Sequence, residues 1–460
     1  MTLGRAIGEV ATRARFSDIP EAVRERISIH ILDTLGVSVA GATAPWNTPV
    51  FQYVEASSAR GQSSTCFGDI RLAAEGAAMG NATAAHGAEL DDFHVPGGVH
   101  AGAVIVPAAL AVAEELDAGL EELVTASVLG YETTIRIGRA LSPEMTADRG
   151  FHVTSAFGPI GAAVATGVLR GLDVSQFAHA IGIAIASCGG VTEYTRTGGE
   201  IKRFHAGLAA RAGVQASALA VSGLTGPAQA LEGERGYFHA FSGSRLDRST
   251  FDGFGEEWSA DGLGIKPWST CAGNQPAIAA LETLLDQGVD PTRIASVKVW
   301  ADKTAVGHCA HVGPDPQDMT GLQFSMHIAL ALRALRRSNS FAEYQRALDG
   351  ADRGPLTAFG SKIHIHVGEA EEAAFSTRPF ATVEVTLVDG TRRSARGTTP
   401  GDPGSPLDWA GLSLKLNDII GVESERFDAL SDELMDARNG VRLWDPYARL
   451  LPRPAASVVQ

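Results

Sequence analysis

Basic residues, cysteines and long apolar runs are all scarce in this chain of 460 residues, and each shortage removes a class of function. Lys and Arg number 38 against 53 Asp and Glu, a formal charge of −15, which argues against nucleic acid as a partner because neutralising phosphates needs clustered bases. The four cysteines (Cys66, Cys188, Cys271, Cys309) lie far apart with no CxxC, as reduced thiols of a cytosolic protein would. The most apolar run, Ala101–Ala113, ends at Glu114 and falls short of the ~20 residues a membrane span needs, so it reads as a buried helix. MTLGRAIGEVATRARF has no apolar signal core and reads as an amphipathic helix of the mature fold, so the expected location is cytoplasmic, with no membrane partner. There is no internal repeat of fixed period.

What is present is enough for a large core. The chain is 45% hydrophobic and carries 52 glycines, which favour close helix packing and tight turns. Its length exceeds the ~250–300 residues a single core usually serves, so two domains are expected. Up to about residue 260 the spacing predicts helices: Pro20–Gly41, Ala73–His86, Ala101–Glu115, Glu121–Arg139, Gly158–Leu169, Val174–Ile185 and Phe204–Ser222. Several are rich in Ala and Gly and apolar all round, the mark of buried helices. After about residue 262 the pattern changes. Ala295–Trp300, Lys362–Val367 and Ala381–Val388 alternate with period two and predict strands, and Asp389-Gly390 signals a hairpin into Thr391–Arg396. Helices are predicted between them at Gln275–Gln287, Leu322–Leu335 and Phe341–Leu348, and again after Pro400 to about Asn439, with a frayed tail. The fold class is therefore mainly α: a large all-α domain built from both chain ends (1–262 and 397–460) with a smaller α+β lid inserted at 263–396.

Four stretches carry chemistry. In Asn81–Ala113, Glu89, Asp91 and Asp92 are followed by His94, a Pro-Gly-Gly turn and His100 at the start of an apolar helix. A helix start offers free N–H groups and partial positive charge, so this loop suggests a carboxylate site. Arg149-Gly-Phe-His152 precedes a Gly/Ala helix, where the histidine is an acid–base candidate or simply a cap. Gly198-Gly-Glu-Ile-Lys202-Arg203-Phe-His205 sets a basic pair beside a glycine loop, suited to an anion or to solvent. Ile265-Lys266-Pro-Trp-Ser-Thr-Cys271-Ala-Gly-Asn-Gln275 is a polar loop before a helix; Cys271 has no histidine base beside it and reads as a small buried thiol. His364/His366 on a strand and His308/His311 lack the companion ligands of a zinc site.

These stretches, AAHGAELDDFH and VHAGAVIVPAALA, RGFH, GGEIKRFHAGLAAR and IKPWSTCAGNQPAI, resemble the MmgE/PrpD family over nearly the whole chain. That family includes 2-methylcitrate dehydratase, cis-aconitate decarboxylase and iminodisuccinate epimerase. The resemblance implies a cytosolic homodimer, an active site in the cleft between the two domains, no metal and no organic cofactor. By the same resemblance His100 and His152 match the active-site histidines, Asp91 and Asp92 the paired acids, Lys202 the lysine of the GGxxK segment, and Lys266 the lysine opening the lid loop. Two positions depart from the pattern: Gln275 stands where members carry a histidine nine residues after that lysine, and His327 where a tyrosine is common. The expected activity is a cofactor-independent lyase on a small anionic di- or tricarboxylate, a dehydratase or decarboxylase. His100, His152, Lys202 and Asp92 are expected to be catalytic, and Asp91, His94, Arg203, Lys266 and Gln275 to bind substrate. Histidines titrate near working pH and suit proton transfer beside a carboxylate, while lysines stabilise charge that builds on it. An epimerase of an α-substituted dicarboxylate and a non-catalytic polycarboxylate binder are the alternatives.

Overall fold

A computed structural model describes residues 1–141, 145, 149–243, 247–350, 353–436, 441–443 and 445–450. Helices α1 (Leu3–Arg13), α2 (Glu21–Ala42) and α3 (Thr48–Ser57) lead into a short antiparallel pair, β1 (Arg60–Ser64) and β2 (Arg71–Leu72). Then come α4 (Ala74–Gly87), β3 (Phe93–His94), α5 (Gly102–Leu116), α6 (Leu120–Leu141), α7 (Val153–Leu169), α8 (Val174–Ile185), the single turn α9 (Tyr194–Thr197), α10 (Ile201–Val221) and α11 (Tyr237–Ser242). Strand β4 (Leu263–Gly264) pairs antiparallel with β3 and ends this half.

The α+β part holds α12 (Gln275–Asp286), β5 (Ile294–Ala301), α13 (Lys303–Cys309), α14 (Met319–Phe324), α15 (Met326–Arg336), α16 (Phe341–Leu348), α17 (Arg353–Gly360), β6 (Ile363–Val367), α18 (Glu369–Ala374), β7 (Phe380–Leu387) and β8 (Arg392–Thr398). Its sheet runs β6-β5-β7-β8, with β5 and β6 parallel and the other pairs antiparallel. Val297 and Val299 of β5 face Val385 and Val383 of β7 in register, so the period-two pattern becomes one apolar face. Gly390 takes φ +83° in the turn between β7 and β8. The chain then returns through α19 (Trp409–Ile420), α20 (Ser424–Met435) and α21 (Pro446–Leu450).

The larger hydrophobic core draws on Leu3 to Ile265 and on Leu412 to Leu450, so both chain ends share it. The smaller runs from Cys271 to Val385 and takes in Tyr194. Small residues set the spacing inside the larger core. A Cβ on Gly213 of α10 would sit 2.3 Å from Ala162 Cβ of α7, and one on Gly207 would sit 2.6 Å from Met79 O of α4, so α10 lies between them only because these positions are glycine.

The fold is mainly α, and three local expectations change. The first half is not purely helical, since β1 and β2 form a ladder that the polar sequence RGQSS does not announce. Helix α7 starts at Val153 rather than Gly158 and carries Pro159 inside it. Proline removes the bond its N–H would make to Ser155 O, and Gly189 N donates to that carbonyl instead, at 3.4 Å. The predicted helix Leu322–Leu335 is two helices, broken at Ser325, whose hydroxyl accepts from Ile328 N. The C-terminal tail lies outside the described residues. Among the described residues no single helix is long and apolar enough to cross a bilayer.

Candidate active site

A cleft of about 400 Å³ opens between the two cores. The helical half lines it with Glu89, His94, His100, His152, Tyr194 and Lys202; the α+β part supplies Cys271, Thr304, His308 and Phe324, with Arg378 and Asp402 also on its wall. The volume suits a small polar metabolite.

Adjacent acids on the loop before β3 go opposite ways, as successive side chains of an extended segment do. Asp91 turns toward the cleft side. Its carboxylate accepts from His86 Nδ1 at 2.7 Å and Lys266 Nζ at 2.9 Å, and lies 3.5 Å from His100 Nδ1. Asp92 turns into the helical core, where it accepts from His30 Nδ1 (2.9 Å), Tyr131 OH (2.8 Å) and Gly102 N (2.9 Å). The anion-friendly start of α5 is thus already occupied by Asp92. Gly102 is required there, because a Cβ would fall 2.6 Å from that carboxylate and 2.5 Å from Tyr131 OH. Glu89 adopts φ +55°, an uncommon conformation for a residue with a side chain, and its carboxylate bridges Lys202 and Lys266.

Histidine tautomers follow from these partners. His100 Nδ1 donates to Asp92 O at 2.7 Å, which leaves the lone pair on Nε2 of a ring that lines the cleft. His152, at the N-cap of α7, shares a 3.0 Å Nδ1–Nδ1 hydrogen bond with His205 of α10. His86 lies between them, stacked on His152 at 5.6 Å between ring centroids and tilted against His100 at 5.5 Å, and its buried Nε2 has no partner among the described residues.

The basic pair of α10 separates because consecutive helical residues point ~100° apart. Lys202 and His205, three apart, share the cleft-side face. Arg203 reaches away to Gly87 O, Thr320 Oγ1 and Gln323 Oε1, tying α10 to α4 and α14. Two more expected substrate ligands are displaced. Lys266 is wholly buried behind Asp91 and Glu89 and does not line the cleft. Gln275 is wholly buried too, its amide donating to Trp268 O (2.8 Å) and Thr270 O (3.1 Å) to hold the loop shape. From that loop Cys271, Ala272 and Gly273 face the cleft.

Burial dominates the electrostatics. It pulls His100 down to about 3, helped by Lys266, and holds His152 well below the usual imidazole range, helped by His86 and His205. Burial likewise lowers His94 and His205 to about 4. The cleft therefore presents neutral imidazoles at neutral pH. Glu89 stays ionised, down at about 2, because Lys202 and Lys266 outweigh its burial; Lys266 stays charged, up at about 12, because Asp91 and Glu89 outweigh its own. Burial draws Lys202 downward, against the pull of Glu89. Among the described residues no group of three or more His, Cys, Asp or Glu is arranged to hold a metal ion.

His94, His100, His152 and Lys202 thus come together on one cleft, Asp91 and Lys266 lie directly behind them, and Asp92, Arg203 and Gln275 serve packing. His94 accepts from Gly97 N at 2.9 Å, closing the Pro-Gly-Gly turn. His364 and His366 stand exposed on edge strand β6, and His327 bonds Gly360 O at 2.9 Å. Sequence reasoning passed over Tyr194, whose ring lies 5.5 Å from that of His152, and gave His308 no role. Tyr194 stands in a four-residue helical turn with no pattern to mark it.

Residues 5–249 match the MmgE/PrpD N-terminal domain and residues 268–435 the MmgE/PrpD C-terminal domain. The chain is 26% identical over 378 residues to a cis-aconitate decarboxylase of Aspergillus terreus, covering 77% of this chain and 76% of that protein. It is 32% identical over 226 residues to the cis-aconitate decarboxylase of Homo sapiens (48% and 46% covered), and 30% over 225 residues to that of Mus musculus (47% and 45%).

Proposed function

The chain belongs to the MmgE/PrpD family, and from that premise we propose that it is a lyase that decarboxylates a small tricarboxylate of the cis-aconitate type. The names of its relatives support decarboxylation over dehydration. The observation that carries the reading is the pairing, on one cleft, of a buried ammonium (Lys202) with imidazoles whose tautomer is set from behind (His100 by Asp92 O).

Lys202 takes a substrate carboxylate in competition with Glu89 and stabilises charge that builds as the carbon–carbon bond breaks. The N-terminus of α7 at His152 and Val153 adds partial positive charge to the same wall. Lys266 acts through Asp91, keeping that acid ionised and His86 and His100 oriented. Glu89, Asp91, Lys202 and Lys266 sum to zero charge, so a polyanion entering the cleft raises the affinity of the neighbouring imidazoles for protons. His100 and His152 then exchange protons with the substrate from the helical wall.

The test is a screen of citrate-, aconitate- and aminodicarboxylate-type compounds in deuterated water, read by NMR. Carbon dioxide release with one deuterium in the product is expected from a tricarboxylate. Exchange of an α-proton without loss of mass would replace the lyase with an epimerase, and binding without turnover or exchange would leave only a carrier.

A further inference from the structure

We infer that His308, on the α+β wall of the cleft, is the acid–base residue that delivers a proton to the substrate carbon from that wall. This rests on the decarboxylase reading. Helix α13 presents Thr304, Ala305 and His308 to the cleft, one helical face at spacings of one and four. The helix is anchored at its start, where Asp302 accepts from Ala305 N at 2.8 Å. It is also packed without slack against the loop that carries Cys271: a Cβ on Gly273 would lie 3.0 Å from Ala305 Cα and 3.3 Å from Cys309 Sγ. His308 is therefore held, half-buried, at a fixed place in the wall.

Its hydrogen bonding sets it apart. On the helical wall the Nδ1 atoms of His94, His100 and His152 are all engaged. His308 has no hydrogen-bond partner among the described residues, so both ring nitrogens remain for a ligand. The groups around it are Lys202 across the cleft, Asp302 at the start of its own helix, and the thiols of Cys271 and Cys309, which contact each other. Burial, with the Lys202 charge, keeps the ring neutral with a pKa of about 4. A tricarboxylate beside it reverses the sign of the local field and favours the imidazolium.

The step then balances. The bond between the reacting carbon and the departing carboxylate breaks and carbon dioxide leaves. The electron pair stays on carbon and takes the His308 proton, forming C–H as N–H breaks. The neutral ring recovers its proton from water, supplying the one proton a decarboxylation consumes. Gln275, buried under the loop, cannot play this part, so the wall that lacks a histidine at that position presents one from α13 instead.

Two measurements on the full-length protein decide it. In the first, the histidine-labelled protein is followed by NMR at fixed pH values between about 6.5 and 7.5 with and without propane-1,2,3-tricarboxylate, and the His308 signal is identified by its loss in His308→Gln. A change of that signal from the neutral to the imidazolium form on binding is expected. A His308 signal that does not move while His100 or His152 does overturns the inference, whatever the activity. In the second, wild type and His308→Gln are compared on the turned-over tricarboxylate, with thermal melting as the check on folding. A fall in kcat of about 100-fold or more with KM within a few-fold is expected, in line with general acid–base catalysis. A folded variant within threefold of wild type overturns the inference and leaves the decarboxylase reading standing. Absence of carbon dioxide release from wild type overturns the decarboxylase reading, and with it the proton-donor role that rests on it.

Discussion

Acidification from pH 7 to pH 5 should destabilise this protein through its own cleft histidines. In an unfolded chain each imidazole titrates near 6.5. In the folded protein burial holds His100 to about 3 and His94, His205 and His308 to about 4. Because the folded values are depressed, the unfolded chain binds more protons throughout the interval. Stability is therefore fully present above 6.5 and is lost as pH falls through it toward the folded values. At pH 5 each of the four rings costs about 2 kcal/mol, or about 8 kcal/mol together, comparable with the roughly 5–15 kcal/mol that holds a typical protein folded. The depressed carboxyl of Glu89, at about 2, opens no loss until the pH drops into the ordinary carboxylate range. Urea unfolding followed by tryptophan fluorescence at half-unit steps from pH 7.5 to 5 measures the histidine loss. The four rings should contribute a limiting slope of about 5 kcal/mol per pH unit, and His205→Gln should flatten the measured slope by about 1.4. A stability constant within about 1 kcal/mol from pH 7 to 5 would falsify the claim that these rings are buried and neutral.

The paired acids should separate by readout. Asp92→Asn loses acceptors for His30 and Tyr131 and should cost about 2–4 kcal/mol in urea unfolding, while the folded fraction keeps its rate within about tenfold. Asp91→Asn should lower kcat by about 100-fold or more, because His86 and His100 lose their carboxylate and Lys266 its nearest partner; a larger rate loss in Asp92→Asn would reverse the assignment. Gln275→His should not add an acid–base limb to the pH–rate profile. An imidazole cannot make both bonds to Trp268 O and Thr270 O, so a loss of about 1–3 kcal/mol is expected, and a new limb would place this side chain on the cleft after all. Binding of propane-1,2,3-tricarboxylate at pH 7 should take up protons, seen as a buffer-dependent heat in calorimetry, and a buffer-independent heat would refute charging of the cleft imidazoles.

Local order was legible from the residues alone. The Val174–Ile185 helix has the predicted ends because Asp173 and Gln176 form a capping box, a signal within four residues. Phe341–Leu348 likewise starts at Ser340, whose hydroxyl accepts from Glu343 N. Period two marked the long strands, since Val297, Val299, Val383 and Val385 all turn to one face. The change of pattern near residue 262 likewise announced a second kind of structure. Motif order brought His100, His152 and Lys202 forward, and the structure sets all three on one cleft.

Direction was not legible, because it depends on partners far away in the chain. Nothing in Asp91-Asp92 says which acid meets the histidines of the cleft. That is decided by Lys266, 175 residues on from Asp91, and by Tyr131, 39 residues on from Asp92. Lys202 and Arg203 look alike as neighbours, yet α14 claims the arginine with Thr320 and Gln323 and leaves only the lysine on the cleft. Gln275 was expected to bind substrate, but backbone carbonyls of its own loop consume its amide. His308 looked like half of a failed metal motif until α13 set it against the opposite wall. Composition, periodicity and caps act over a few residues and settle which elements form. The facing of each charged side chain is settled by whichever distant group can satisfy it once water is excluded.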